Sequence, residues 1–186
     1  MRSGYRPTRG QLTLAFVNAE AYSNWDPSSP GTTRFVDEDM NRVWTHEQLD
    51  SRTDESSDLE RARALRPFYD RVDHLLDIHS MGGNHAPIML CHGDQKQRDF
   101  AAQVGFPEFV GCGEGFVGEG KSRLIEYPPF QEEEEKVAML VECGSHWKAE
   151  TGVVAVPPTA CRQLEQFTRW AVLTPMSLFS ALHRWT

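Results

Sequence analysis

Three stretches of the sequence carry side chains capable of chemistry. In Asp77-Ile78-His79-Ser80 the acid and the imidazole stand two residues apart behind Leu75 and Leu76, so a strand here puts both on one face. An imidazole so placed can ligate a metal while the carboxylate fixes its tautomer; it can equally be a hydrogen-bonded structural histidine. Glu142 follows the apolar run Val137–Val141 and precedes Cys143-Gly144. A carboxylate at the mouth of an apolar sheet has its pKa raised, which suits a general base, although a Glu paired with an Arg leaves the same pattern. The densest cluster runs from Arg34 to Trp44, where Arg34 and Arg42 bracket Asp37, Glu38, Asp39 and Asn41. A guanidinium is a planar fork for carboxylates and oxyanions, and Asn41 adds a donor. A surface loop stitched by ion pairs has the same composition.

Elements that could position these residues are readable around them. Leu12–Val17 is a short apolar run and predicts a buried strand; Tyr22–Thr33 holds Asn, Asp, Pro, Ser and Gly and predicts a loop. Ser57 and Glu60 have capping-box spacing, which predicts a helix through Leu59, Ala62 and Leu65 to about Arg66, ended or kinked by Pro67. Leu75–Ile78, Pro87–Cys91 and Val137–Val141 predict strands, and Gln95–Val104 a short helix. Residues 105–135 show no period, and Glu132–Glu135 reads as a solvated loop. Leu164, Phe167, Trp170 and Ala171 have helical spacing within Pro158–Leu182, interrupted at Pro175. Strands alternating with helices predict an α/β sandwich with helices covering a mixed or parallel sheet. In such sheets chemistry sits at the carboxyl ends of strands, where His79 and Glu142 fall.

The chain has 186 residues, 27 acidic against 19 Lys or Arg, and a formal net charge of −8. That length suits one domain with a real core, and the acidity argues against general nucleic-acid binding. Apolar runs are too short for a transmembrane helix. Met1–Arg6 is charged, with no signal-type hydrophobic stretch after it, so a cytoplasmic protein is expected. Cys91, Cys112, Cys143 and Cys161 form no C-x-x-C pair, which disfavours a cysteine zinc site, and reduced thiols are expected.

Three motifs occur in the order of one family: R-F-V-D-E-D-M-N-R-V-W (Arg34–Trp44), L-L-D-I-H-S-M (Leu75–Met81) and M-L-V-E-C-G-S-H-W (Met139–Trp147). Together with Leu12–Tyr22 they resemble the succinylglutamate desuccinylase/aspartoacylase family, a branch of the zinc carboxypeptidase-like hydrolases. The resemblance implies a three-layer, zinc-exopeptidase-like α/β sandwich and hydrolysis of an N-acyl amino acid or similar small carboxylated amide. It implies His79 as the third zinc ligand and Asn41 and Arg42 as the pair gripping the substrate carboxylate. Arg34 then stabilises the oxygen that becomes negative, and Glu142 is the general base that later protonates the leaving amine. Arg123 or Tyr127 could meet a second substrate carboxylate; His146 and Trp147 fit one branch of the family without an assigned role.

The family takes its first two zinc ligands from an H-x-x-E motif upstream of the Leu12 strand, and residues 1–186 contain no H-x-x-E. A catalytic zinc normally has three protein ligands. The expectation is one zinc-carboxypeptidase-like domain over 1–186, incomplete at its N-terminus and without the family's smaller β-rich C-terminal portion. Such a chain binds zinc weakly, hydrolyses little, and exposes an edge or apolar face that favours self-association. The alternatives are a degenerate relative that binds carboxylates and an interaction domain with no site.

Overall fold

The computed structural model describes residues 10–26, 28–29, 34–113, 117–146, 148–155 and 169–174. Among these residues six strands form one mixed sheet: β1 (Gln11–Phe16), β2 (His74–Met81), β3 (Ile88–Cys91), β4 (Phe109–Cys112), β5 (Val137–Ser145) and β6 (Arg169–Thr174). Their order is β1-β6-β2-β5-β3-β4. The first four in that order are mutually parallel, β3 is antiparallel to β5, and β4 is parallel to β3.

Period-2 alternation along the central strands divides the core in two. Leu75 of β2 and Ala138 and Leu140 of β5 face a cluster with Trp44, Leu59, Ala62, Tyr69, Ile125 and Phe130. Leu76, Ile78, Val137, Met139 and Val141 face the other cluster with Phe100, Ala101 and Val104. The first layer is built from α2 (His46–Ser51), α3 (Ser57–Tyr69) and α5 (Pro128–Glu132), and the second from α4 (Gln95–Val104) and α6 (Ala149–Ala155). A short α1 (Ala19–Ser23) follows β1. Helices on both faces bury a sheet whose inner strands are apolar on both sides. The buried Gln97 side chain joins the layers, donating to the Phe130 carbonyl and accepting from the Ala138 amide at 3.1 and 3.0 Å. Among the described residues no helix is long and apolar enough to cross a membrane.

Helix ends follow local chemistry. Asp94 caps α4 through the Gln97 amide, and Gly105, at φ +62°, closes it in the left-handed region. The cap of α3 is Ser56, one residue before the expected Ser57, with its hydroxyl accepting from the Leu59 amide. The helix also runs past Pro67 to Tyr69. Proline in a last turn forfeits one backbone bond, and the amides of Asp70 and Arg71 still close the end onto Arg66 and Phe68.

Other expectations are corrected. The Leu12 run does form a strand, but at a sheet edge, with Leu14 and Phe16 about half exposed rather than buried. Trp170 and Ala171 lie in strand β6, not a helix; R-W-A-V-L-T is a nearly continuous apolar run of the kind a central parallel strand takes. Leu164 and Phe167 lie outside the described residues. The 105–135 stretch holds β4, α5 and a 3-10 turn at Leu124–Glu126, elements too short to show a period; Glu132–Glu135 is exposed as expected. Cys91 and Cys112 are not reduced thiols but a disulfide. They are register partners in the β3–β4 pair, an adjacency their 21-residue separation hides. Cys143 is free and buried.

Candidate functional site

Register places the first two chemical stretches together. β2 and β5 pair Leu75 with Ala138, Asp77 with Leu140 and His79 with Glu142. The row that fills the core with Leu75, Ala138 and Leu140 therefore continues, toward the strand ends, as Asp77, His79 and Glu142. Asp77 Oδ2 lies 2.7 Å from His79 Nε2, with the side chains 5% and 16% exposed. Asp77 thereby fixes the ring and leaves Nδ1 as the nitrogen able to meet a metal. Glu142 Oε2 is buried with no hydrogen-bond partner among the described residues.

The electrostatics of the pair follow from burial and close charge. Burial opposes an imidazolium at His79, but the bonded Asp77 and nearby Glu142 outweigh it and hold His79 above the ordinary imidazole range, against Arg34. Burial raises the Glu142 carboxyl; His79, Arg34 and Arg123 pull it back while Asp77 adds to the rise, and the balance stays upward. A buried carboxyl biased toward its protonated form beside a basic cluster is suited to accept and return protons.

Past His79 the ladder slips, and Met81 stands opposite Ser145. Gly144 has φ +124°, where a Cβ would lie 3.1 Å from Thr151 Oγ1, so this bend requires glycine. The bend brings the His146 amide to the Met81 carbonyl at 3.0 Å and His146 Nδ1 to Ser80 Oγ at 2.8 Å. Burial lowers the His146 pKa, and the positive charges of Arg34 and His79 lower it further. Trp147 lies outside the described residues.

The arginine cluster is a loop with a 3-10 turn at Met40–Arg42. Each of its three acids has a separate task. Asp37 accepts the Ser57 amide at the start of α3. Glu38 takes a two-pronged bond from Arg52, both at 2.8 Å, which holds its carboxyl below the usual range. Asp39 caps the turn through the Asn41 amide and lies 2.8 Å from Arg34 and 3.6 Å from Arg42. The two guanidiniums thus converge on one carboxylate. Arg34 is half exposed, yet its charge is felt at His79, Glu142 and His146.

The loop is also laced to the chain after β4. Asn41 Oδ1 accepts the Leu124 amide at 2.8 Å, and Trp44 N and Arg42 O pair with Ser122. This seats Arg123, 5% exposed, where it influences Glu142. Its guanidinium is already bonded to Glu126 at 2.6 Å. Tyr127 does not face the strand ends: its buried hydroxyl donates to Asp70 and accepts from Arg66. The structure therefore gathers Arg34, His79 and Glu142, with Asp77, Arg123 and His146 around them, and ties Arg42 to Arg34 through Asp39. The side-chain oxygen of Asn41 is committed to the Leu124 backbone. Sequence reading missed Ser80 and Glu126 as partners because nothing local marks which distant residue they meet.

Among the described residues no group of three His, Cys, Asp or Glu side chains is arranged to hold a metal. His79 fits as one imidazole ligand with its orienting carboxylate, and it is one donor where a catalytic zinc takes three. No protein-family model matches the chain, and no curated protein matches it.

Proposed function

We propose that the strand-end cluster is the acid–base and carboxylate-binding part of a hydrolytic site for an N-acyl amino acid or similar small carboxylated amide. The observation that carries this reading is the His79–Glu142 register pair, with a buried Glu142 oxygen that has no partner among the described residues and with Arg34 in electrostatic reach. Glu142 takes the proton of the attacking water and returns it to the leaving amine, a task favoured by its raised pKa. Arg34 faces the oxygen on which negative charge builds. Arg42 and the Asn41 amide nitrogen hold the substrate carboxylate in a fork now shared with Asp39. Zinc, which the resemblance to the desuccinylase/aspartoacylase family implies, would supply Lewis-acid activation of water and carbonyl. His79 is the described residue fitted to hold it, and further donors would come from outside the described residues.

A second reading, a carboxylate-binding module without turnover, is favoured by one specific observation: Arg34 and Arg42 already converge on a carboxylate, that of Asp39. One experiment separates the two. The chain, with added zinc, is assayed by calorimetry for binding of N-acetyl amino acids and by amine release for their hydrolysis. Binding and hydrolysis, with Glu142→Gln retaining only binding, support the hydrolase. Binding with no amine release supports the module, and binding lost in neither Arg34→Ala nor Arg42→Ala refutes both.

A further inference from the structure

Asp58 lies in the first turn of α3 and is 1% exposed. Its Oδ2 accepts three backbone amides of the arginine loop, Val36 at 3.0 Å, Asp37 at 2.7 Å and Glu38 at 3.0 Å. Its Oδ1 accepts the Asn18 amide nitrogen at 2.5 Å, while Asn18 Oδ1 caps α1 through the Ala21 amide. The grip is reciprocal, since Asp37 accepts the Ser57 amide from the same helix end. Nearby, Arg61 binds the carbonyls of Val17 and Phe16 at 2.9 and 3.2 Å. One helix end therefore fastens the exit of β1 and the segment between Arg34 and Asp39. Three amides converging on one oxygen outnumber the two lone pairs of a neutral carbonyl, and the denser negative charge of a carboxylate oxygen meets them better.

We propose that Asp58 is a positioning residue for the arginine fork: by gathering the amides of Val36, Asp37 and Glu38 it holds Arg34 and Arg42 in their shared geometry beside the β2 and β5 ends. Without this anchor the 34–39 backbone has no ladder to define it, and the fork loses its fixed spacing. The inference rests on the proposed carboxylate-binding role only for its functional consequence; the anchoring is testable without any ligand.

The test uses the whole chain with Asp58→Asn, and with Asp58→Asn combined with Asn18→Asp. The single change keeps an oxygen for the loop but sets one amide NH2 against another at residue 18. The double change restores a donor facing an acceptor there, with the remaining oxygen still able to cap Ala21. In Asp58→Asn, hydrogen exchange at Val36, Asp37 and Glu38 should accelerate about tenfold or more, from the loss of charge-assisted bonds, and the Arg34 Nε–H signal should broaden. Affinity for an N-acetyl amino acid should fall about tenfold. Exchange at the β2 and β5 amides should not change. The double variant should recover most of both effects. Unchanged protection at the three amides, an unchanged Arg34 signal, or equal acceleration throughout the sheet overturns the positioning role. If the wild type binds no N-acetyl amino acid while the exchange and Arg34 results hold, the functional reading fails and the positioning role stands. Binding that survives a loosened loop overturns the inference that the fork depends on Asp58.

Discussion

The two halves of the site are held by different physics. His79 and Glu142 are fixed by a parallel ladder between central strands, in a row whose inner members are buried Leu75, Ala138 and Leu140. Arg34, Asn41 and Arg42 ride a loop outside the sheet ladder, fixed by one backbone bridge, Arg42 O and Trp44 N with Ser122, and by side chains that capture backbone amides: Asp58, Asp39 and, through Asn41, the Leu124 amide. A ladder defines position through many equivalent bonds, so a single side-chain change there alters chemistry more than geometry. A loop defined by a few side chains loses its geometry with any one of them. The strand pair should therefore govern proton transfer and core electrostatics, and the loop should govern recognition through Arg42 and stabilisation of developing charge through Arg34.

The largest expected effect isolates the strand half. Glu142→Gln preserves shape and the core row while removing the proton acceptor. In a hydrolysing preparation kcat should fall about 10³-fold with KM within about threefold, as for loss of a general base. Steady-state kinetics on N-acetyl amino acids read this directly. A kcat within tenfold of wild type would assign the proton work elsewhere.

The same division explains what the sequence revealed. Apolar runs ending at Ile78 and Val141 were enough to locate β2 and β5 and to pick out His79 and Glu142. The strands continue to Met81 and Ser145, and polar residues there hid this because pairing, not hydropathy, carries those last steps. In the arginine loop the residue types were legible and their partners were not. Nothing near Asp58 in sequence shows that its carboxylate reaches back some twenty residues to three amides. The helical spacing around Trp170 misled because a central strand's apolar run also satisfies intervals of three and four. The β4 segment, with its disulfide to β3, was missed because four residues and a distant cysteine give no local signal.

Stability should also differ between the halves. Asp77→Ala leaves His79 enclosed without its carboxylate, which costs about 3 kcal/mol for a buried pair broken on one side. Arg34→Ala removes a half-exposed guanidinium from a surface pair and should cost under about 1 kcal/mol. Urea unfolding of both variants at pH 6 compares them. Equal losses would mean that the loop bears on the core as strongly as the ladder does.

Within the loop the two arginines should part company in kinetics. Arg34, whose charge reaches both His79 and Glu142, should affect kcat, by about 10²-fold in Arg34→Ala. Arg42, joined to Asp39 and the Asn41 carbonyl, should affect KM, by about tenfold in Arg42→Ala. An unchanged KM in Arg42→Ala removes it from substrate binding and leaves Arg34 as the only functional arginine of the pair.

The smallest effect is a pH dependence peculiar to the strand half. The folded pKa of Glu142 lies above its ordinary 4.5 because burial penalises the carboxylate. The folded protein therefore holds this proton more tightly than the unfolded chain, and the stability so gained is complete below about 4.5 and lost as pH rises through the folded value. His79, raised above its ordinary 6.5 despite burial by Asp77 and Glu142, acts with the same sign in a higher window: its contribution is full below 6.5 and fades as pH passes its folded value. Glu142→Gln removes the buried charge and its desolvation cost, while forfeiting some attraction for the His79 imidazolium, so the net gain is modest. The variant should melt at the same temperature as wild type at pH 4 and about 2–4 °C higher at pH 8. Calorimetry at the two pH values checks it. A variant less stable than wild type at pH 8 would show that attraction to His79 outweighs burial, making the pair a stabilising ion pair rather than a strained proton-transfer site.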